Sequence, residues 1–360
     1  MRPAAPARDS RVNRNVKGPS FAARVVAWQR RHGRHDLPWQ GPPDAYRTWL
    51  SEIMLQQTQV TTVIPYYLRF VAAFPDVAAL AKAPLARVLE HWSGLGYYRR
   101  AHHLHAAAQR VVAEFGGAFP RDVETLATLP GIGRSTAAAI AAFAGTARAP
   151  ILDGNVKRLL ARHRGVEGYP GAPKIEARLW GIAETLLPRR DLREYTQGLM
   201  DLGATICTRS RPRCDECPVA ADCVARLTSR VDRLPTPRPR RELPHRTVRV
   251  LVIERAGTLL LERRPALGIW GGLWSLPETT IDEDVVAHCG TRFGAAVTVG
   301  ETLAPIEHGF THYRLTITPQ RVAARTWPPR AESPGLAWLT RDDALKAALP
   351  APIRKLLRAL

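Results

Sequence analysis

The chain has 360 residues, 45% of them apolar, which is enough for roughly two domains with packed cores. Its 52 Lys and Arg outweigh 32 Asp and Glu, for a net charge of +20, and such basicity spread along a chain suits a polyanionic partner, most commonly nucleic acid. The longest Ala-dominated apolar stretch, Ala137 to Ala144, is far short of the roughly 18 residues of a membrane span. The Arg-rich start lacks the apolar core of a secretory signal, so export, disulfide stapling and membrane insertion are not expected, and a cytoplasmic monomer is.

Residues 1–20 read as a disordered basic tail. Beyond them the pattern turns helical: Trp49, Leu50, Ile53 and Met54 recur at helical spacing, as do Val123, Leu126 and Ala127, then Thr136, Ile140, Phe143 and Ala144. Between the last two groups stands Leu129-Pro130-Gly131-Ile132-Gly133. Its proline and glycines make a tight turn between helices, and Gly133 opens the second. Exposed N–H groups at such a helix start can hold a DNA phosphate, although the pentapeptide alone fits an ordinary turn equally well. Downstream, Asp153 follows the apolar pair Ile151-Leu152. It reads either as a partly buried carboxylate or as the N-cap of the next helix.

Four of the five cysteines lie within residues 207–223, spaced Cys207-x6-Cys214-x2-Cys217-x5-Cys223. Four thiolates so close can close a loop around one metal centre. Spacing alone leaves zinc and a [4Fe–4S] cluster both open, because only Cys214 and Cys217 form a short pair. The lone Cys289 reads as a small apolar residue. Residues 231–247 hold four prolines and five arginines, the composition of a semi-rigid linker. After it come short β-like runs at Val248–Ile253, Leu259–Leu261 and Tyr313–Ile317, with a late helical stretch at Asp342–Leu349. The expected architecture is therefore multidomain: an all-α domain over residues 21–230, the linker, and an α+β domain over residues 248–360.

Taken together, LPGIGRSTA, ILDGNVKRLLAR and the four-cysteine loop resemble the helix-hairpin-helix DNA glycosylases. Within that superfamily, WLSEIMLQQTQVTTVIPYY and WSGLGYYRRAHHLH are similar to the adenine DNA glycosylases, and the likeness runs from about Phe21 to Arg226. It implies one [4Fe–4S] cluster on Cys207, Cys214, Cys217 and Cys223. It also implies base excision repair of double-stranded DNA in which adenine is mispaired with 8-oxoguanine or guanine.

The chemistry sets the residue roles. Removing adenine breaks an N-glycosidic bond through a transition state resembling an oxocarbenium ion, which calls for an acid and an anion. The resemblance makes Glu52 the acid; Trp49, Ile53 and Met54 beside it would desolvate a carboxyl and favour its protonated form. Asp153 is then the anion that stabilises the sugar cation, and Asn155 orients that carboxylate or the sugar. Endonuclease III-like relatives carry a nucleophilic lysine where this chain has Ser135, and a hydroxyl cannot form the imine needed for strand cutting. A monofunctional glycosylase is expected. An endonuclease III-type lyase for oxidised pyrimidines is the alternative.

Base extrusion needs side chains to fill the gap and hold the partner strand. By the same resemblance Gln57 and Thr58 sit near the opposite base, Leu95 and Tyr97 intercalate, and Leu37 and Trp39 line the adenine pocket. Gly131 and Gly133 contact phosphate, and Lys157 makes a phosphate or structural contact. The C-terminal domain is similar to the Nudix fold, since residues 271–278 match the opening of its motif. The helix that should follow with paired glutamates reads Val286-Ala287-His288-Cys289-Gly290-Thr291 instead. Diphosphate hydrolysis on Mg²⁺ is not expected without those carboxylates. The expected role is lesion reading, through the Phe310, Thr311 and His312 of the His308–His312 loop.

Overall fold

A computed structural model describes residues 18–239, 242–266, 268–328 and 335–360. Most of the expected basic tail and two residues of the expected linker lie outside the described residues. The rest forms two compact units: one joins the N-terminal segment up to His35 to Arg148–Arg238, the other joins Asp36–Ala147 to Pro239–Leu360.

The helices run in chain order α1 (Phe21–His32), α2 (Ala45–Leu55), α3 (Val60–Ala73), α4 (Val77–Lys82), α5 (Leu85–Trp92) and α6 (Arg99–Phe115). They continue with α7 (Val123–Thr128), α8 (Arg134–Ala144), α9 (Gly154–Arg164), α10 (Pro173–Leu186), α11 (Leu192–Asp201) and the short α12 (Val224–Leu227). None is long and apolar enough to cross a membrane. Helix α2 starts where the Asp44 carboxylate accepts from the Arg47 amide at 3.0 Å, the usual N-cap arrangement. Its Trp49, Leu50, Ile53 and Met54 are fully buried and join Phe70, Trp92, Leu104 and Ile140 in one core. In the first unit α9 packs on α10, α11 and α12, and α1 packs on α11.

The second unit also contains a mixed sheet. Its strands are β1 (His245–Arg255), β2 (Thr258–Arg263), β3 (Trp274–Ser275), β4 (Glu278–Thr279), β5 (Ala296–Thr302), β6 (Ile306–Gly309), β7 (Arg314–Thr326) and β8 (Leu336–Thr340). The central path is β3-β2-β1-β7-β5. Strands β1 and β7 run parallel, from His245 opposite Arg314 to Glu254 opposite Ala323. Helices α13 (Val285–Phe293), α14 (Arg341–Lys346) and α15 (Ala351–Ala359) cover the sheet. Val250 and Val252 meet Ala344 and Ile353 on one face, while Leu251 and Ile253 meet Val285 and Cys289 on the other. A strand covered on both faces reads as a continuous apolar run, which explains Val-Leu-Val-Ile. Cys289 is, as expected, a small core residue.

The boundaries differ from expectation in three places. β1 begins at His245, inside the expected linker. That linker is not a free spacer at its start: Leu234 is buried, its carbonyl accepts from Arg162 Nε at 2.7 Å, and Thr236 Oγ1 accepts from the Gly168 amide at 3.0 Å. The expected helix Asp342–Leu349 ends at Lys346, and Pro350 starts the unforeseen α15.

The sheet is joined closely to the preceding helices. Leu273 and Ala348 belong to the same buried core as Trp49 and Trp92. His102 Nε2 donates to the Gly271 carbonyl at 3.0 Å, Tyr98 Oη to the Leu349 carbonyl at 3.2 Å, and Arg354 Nη2 to Ser93 Oγ at 3.0 Å.

Candidate active site and DNA-facing elements

Glu52 lies in the last turns of α2, half-buried, with Ser51 and Ile53 fully buried on either side. Leu37 is buried as well, and its amide donates to Gln40 Oε1 at 3.1 Å. Trp39 meets the Tyr67 ring edge-on at 5.3 Å. After α2 the chain makes a tight turn in which Gln57 is exposed and left-handed, at φ 57°.

The Leu129–Gly133 turn joins α7 to α8. Gly131 sits at φ 79°, and a Cβ there would come within 2.9 Å of the His103 Cβ, so both backbone and space call for glycine. Gln56 Nε2 donates to its carbonyl at 3.3 Å. Gly133 is the N-cap of α8 with no capping side chain, and the space around it is open. Backbone amides at such a helix start suit an anion. Ser135 follows one residue into the helix, half-buried.

Tyr97 is 49% exposed and left-handed at φ 48°. Leu95, expected to intercalate, is instead 5% exposed within the helical core: the turn that presents Tyr97 points Leu95 inward. Arg100, which the sequence reading passed over, is buried beneath this turn. Its guanidinium donates to the carbonyls of Ile53, Met54 and Gln56 and to Thr58 Oγ1.

In the first unit Asp153 is the N-cap of α9, accepting from the Asn155 and Val156 amides at 2.7 and 2.8 Å. Burial pushes its carboxyl above the ordinary aspartate range; those two amides, Arg158 and Lys157 pull it back only in part. The backbone of Asn155 holds the carboxylate, whereas its side chain accepts from Arg158 Nη2 at 2.9 Å. Lys157, expected to make a phosphate or structural contact, is paired with Glu176 at 2.8 Å.

Helix α9 also grips the cysteine loop. Arg158 donates to the carbonyls of Gly203 and Cys207 at 2.6 and 2.7 Å. Arg162 reaches Cys207 Sγ at 3.4 Å and the Thr208 carbonyl at 2.6 Å. Gly203 permits the approach, since a Cβ there would lie 2.5 Å from the Asn155 Cβ. Cys207, Cys214, Cys217 and Cys223 line one pocket, with Leu159, Ile206, Val219 and Ala220 as apolar walls. Burial and the neighbouring thiols push Cys217 up to about 11. Among the described residues no group of three or more His, Cys, Asp or Glu side chains is disposed to hold a single metal ion.

Around β6 and β7 lies an aromatic cluster. Phe310 stacks on Tyr313 at 4.6 Å and meets His308 edge-on at 4.6 Å. Trp270 contacts both His308 and Phe310. Thr311 and His312 are exposed at the hairpin tip. The Nudix-type glutamate Glu278 is taken up by an ion pair with Arg264, and Glu283 accepts from Thr279 and His288.

A helical unit with a Pro-Gly turn into an uncapped helix, and a sheet domain packed on it, define a helix-hairpin-helix repair protein with a Nudix-like module. The comparisons agree: residues 50–185 match the HhH-GPD superfamily of base excision DNA repair proteins, and residues 249–359 match the NUDIX domain. The chain is 34% identical to adenine DNA glycosylase of Buchnera aphidicola over 94% of this chain and 96% of that protein. Against the adenine DNA glycosylase of Homo sapiens it is 31% identical over 94% of this chain and 73% of that one. Among solved structures, a thermostable thymine-DNA glycosylase aligns at TM-score 0.53 and 29% identity, over 58% of this chain and 95% of that chain. The chain belongs to the adenine DNA glycosylase family.

Proposed function

We propose that this protein removes adenine opposite 8-oxoguanine or guanine in duplex DNA and leaves an abasic site. One observation supports the reading above others. The Nudix-like sheet shares a core with α2, which carries Glu52, and with the helices that flank the Tyr97 turn, through Leu273 and Ala348, so a base-reading hairpin is built onto excision machinery.

Glu52 gives its proton to the adenine ring, turning a poor leaving group into a neutral one, and then accepts a proton from the attacking water. Asp153 stabilises the sugar cation. The amides of Asn155 and Val156 donate to the Asp153 carboxylate and favour its ionised form, and a desolvated carboxylate gains most when a cation forms beside it. Asn155 contributes its amide to that carboxylate. With Ser135 in place of an amine, no imine forms at C1′ and the strand is not cut. Gly131 and Gly133 offer the hairpin backbone to phosphate. Gln57, Thr58 and Tyr97 work at the gap left by the extruded base, while Leu95 supports Tyr97 from the core. Leu37 and Trp39 wall the adenine pocket, and Phe310, Thr311 and His312 read the opposite base.

The four cysteines fit a [4Fe–4S] cluster. Their donor set is all thiol and the walls around it are apolar, surroundings that suit a thiolate-held iron–sulfur centre. Bound there, the cluster would hold the 207–223 loop together as a structural clasp, with Arg158 and Arg162 tying α9 to it.

The test is single-turnover excision on 8-oxoguanine:adenine and guanine:adenine duplexes, with and without alkali. Adenine release with strand breaks only after alkali is expected. Breaks without alkali at the rate of base release would establish the lyase alternative.

A further inference from the structure

Arg100 opens the first turn of α6 and is buried with no ion pair among the described residues. Its Nη1 donates to the carbonyls of Ile53, Met54 and Gln56 at 3.0, 2.6 and 2.7 Å. Its Nη2 donates to Thr58 Oγ1 at 3.0 Å and to the Gly96 carbonyl at 3.2 Å. The rings of Trp92 and Tyr97 each lie 5.3 Å from the guanidinium carbon. Burial brings its pKa down to about 10, so it stays charged at neutral pH.

The choice of acceptors is informative. Gln56 immediately precedes Gln57, and Gly96 immediately precedes Tyr97. Both following residues are left-handed, at φ 57° and 48°. That region is costly for a side chain-bearing residue and persists only when its surroundings impose it. One planar fork therefore pins the peptides that enter both strained positions, and both strained side chains face solvent. A buried arginine that merely closed the end of α2 would have no need to reach Gly96 or to lie against the Tyr97 ring.

We propose that Arg100 is a positioning residue for base extrusion, locking the Gln56–Thr58 turn to the Gly96–Tyr97 turn so that Gln57 and Tyr97 meet DNA as one rigid wedge. This deepens the proposed function and rests on it. A wedge ordered before binding does not have to be ordered during it. Lysine keeps the charge but has a single tetrahedral nitrogen, and cannot span the two turns in one plane.

The test uses full-length Arg100→Lys in single-turnover excision from two duplexes: adenine opposite guanine, and adenine opposite an abasic site, where there is no partner base to hold apart. The expected result is a rate constant lower by about tenfold or more opposite guanine, with a clearly smaller loss opposite the abasic site and an unchanged reaction amplitude. An equal loss on both substrates, or a lower amplitude at an unchanged rate constant, reduces Arg100 to a stability role and overturns the inference. Failure of the wild type to release adenine opposite guanine would instead overturn the proposed function.

Should Arg100→Lys not fold, amide exchange in the wild type decides. Thr58 and Leu95, whose amides are each bonded within their own turn, should exchange through one shared opening and gain protection together on a non-cleavable duplex. Independent protection of the two turns overturns the proposal.

Discussion

Around α2 most of the interior is apolar: Trp49, Leu50, Ile53, Met54, Phe70, Trp92 and Leu104 are buried against one another, and Leu273 and Ala348 of the sheet domain extend the same core, with Arg100 and His105 as the large polar side chains buried there. Around Asp153 the interior is threaded with polar groups. Arg162, His163, Thr196, Gln197 and Asp201 are all buried in that unit, and Asp201 accepts from Arg34 and Gln197. The first region is held by the hydrophobic effect, which is non-directional and tolerates conservative change. The second is held by hydrogen bonds that fail as a set when one partner leaves. The difference suits the roles proposed for Glu52 and Asp153, because an acid and an anion need unlike surroundings.

If the polar unit depends on its clasp, Cys214→Ser should do the greatest damage and do it locally. Hydrogen exchange should accelerate across α9 and α11, by on the order of a hundredfold, while α2 and α3 keep their protection. Equal acceleration in both units would erase the contrast.

The carbon-rich unit should respond to lost volume. Leu273→Ala removes a fully buried side chain where the sheet domain meets the helices and should cost about 2–5 kcal/mol in denaturant unfolding. It should unfold the helices and the sheet in one transition; two separate transitions would mean that the sheet domain is only loosely attached.

Asp153→Asn separates stability from function. Its folded pKa is raised, so the wild type bears the cost of a buried charge above that pKa and none below the unfolded value near 4. Asparagine still caps α9. The variant should therefore melt at a higher temperature than the wild type at pH 7 and show no gain at pH 3. Its excision rate should fall by about 100- to 1,000-fold. A melting temperature lowered at pH 7 would mean that the charge stabilises the fold.

The smallest effect is expected at the hairpin that carries Phe310 and His312. Replacing both Phe310 and His312 by Ala should reduce the preference for 8-oxoguanine over guanine by about 1–3 kcal/mol, roughly five- to 150-fold. The rate on a saturating guanine:adenine duplex should not change. Point substitutions are the sharper probe here, since deleting the sheet domain would expose the core at Leu273 and Ala348. An unchanged preference would put lesion reading in the helices.

The carbon-rich region was the more legible of the two in the sequence. Trp49, Leu50, Ile53 and Met54 announce α2 because apolar periodicity records burial directly. The Pro-Gly turn and the four-cysteine spacing are local, and were legible for that reason. Asp153 offered two readings, and the structure satisfies both: it caps α9 and is desolvated. Buried arginines were not legible, because Arg100 and Arg162 look like surface residues until their acceptors arrive from distant segments. The parallel pairing of β1 with β7 spans too much chain for any local pattern to reveal. The burial of Leu95 was not legible, because it depends on the turn that Gly94 and Gly96 make at φ 99° and 77°. Lys157 left a phosphate and a structural contact open, because its partner Glu176 lies on another helix.

The central claim is that Glu52 is the proton donor for adenine release, and Glu52→Gln tests it most directly. Glutamine keeps the shape and the α2 environment but has no acidic proton to give. Single-turnover excision from an 8-oxoguanine:adenine duplex, with binding measured on the same preparation, should show the rate constant falling by at least about 100-fold while duplex affinity stays within a few-fold of wild type. Adenine release at the wild-type rate by a fully bound Glu52→Gln enzyme would contradict the account.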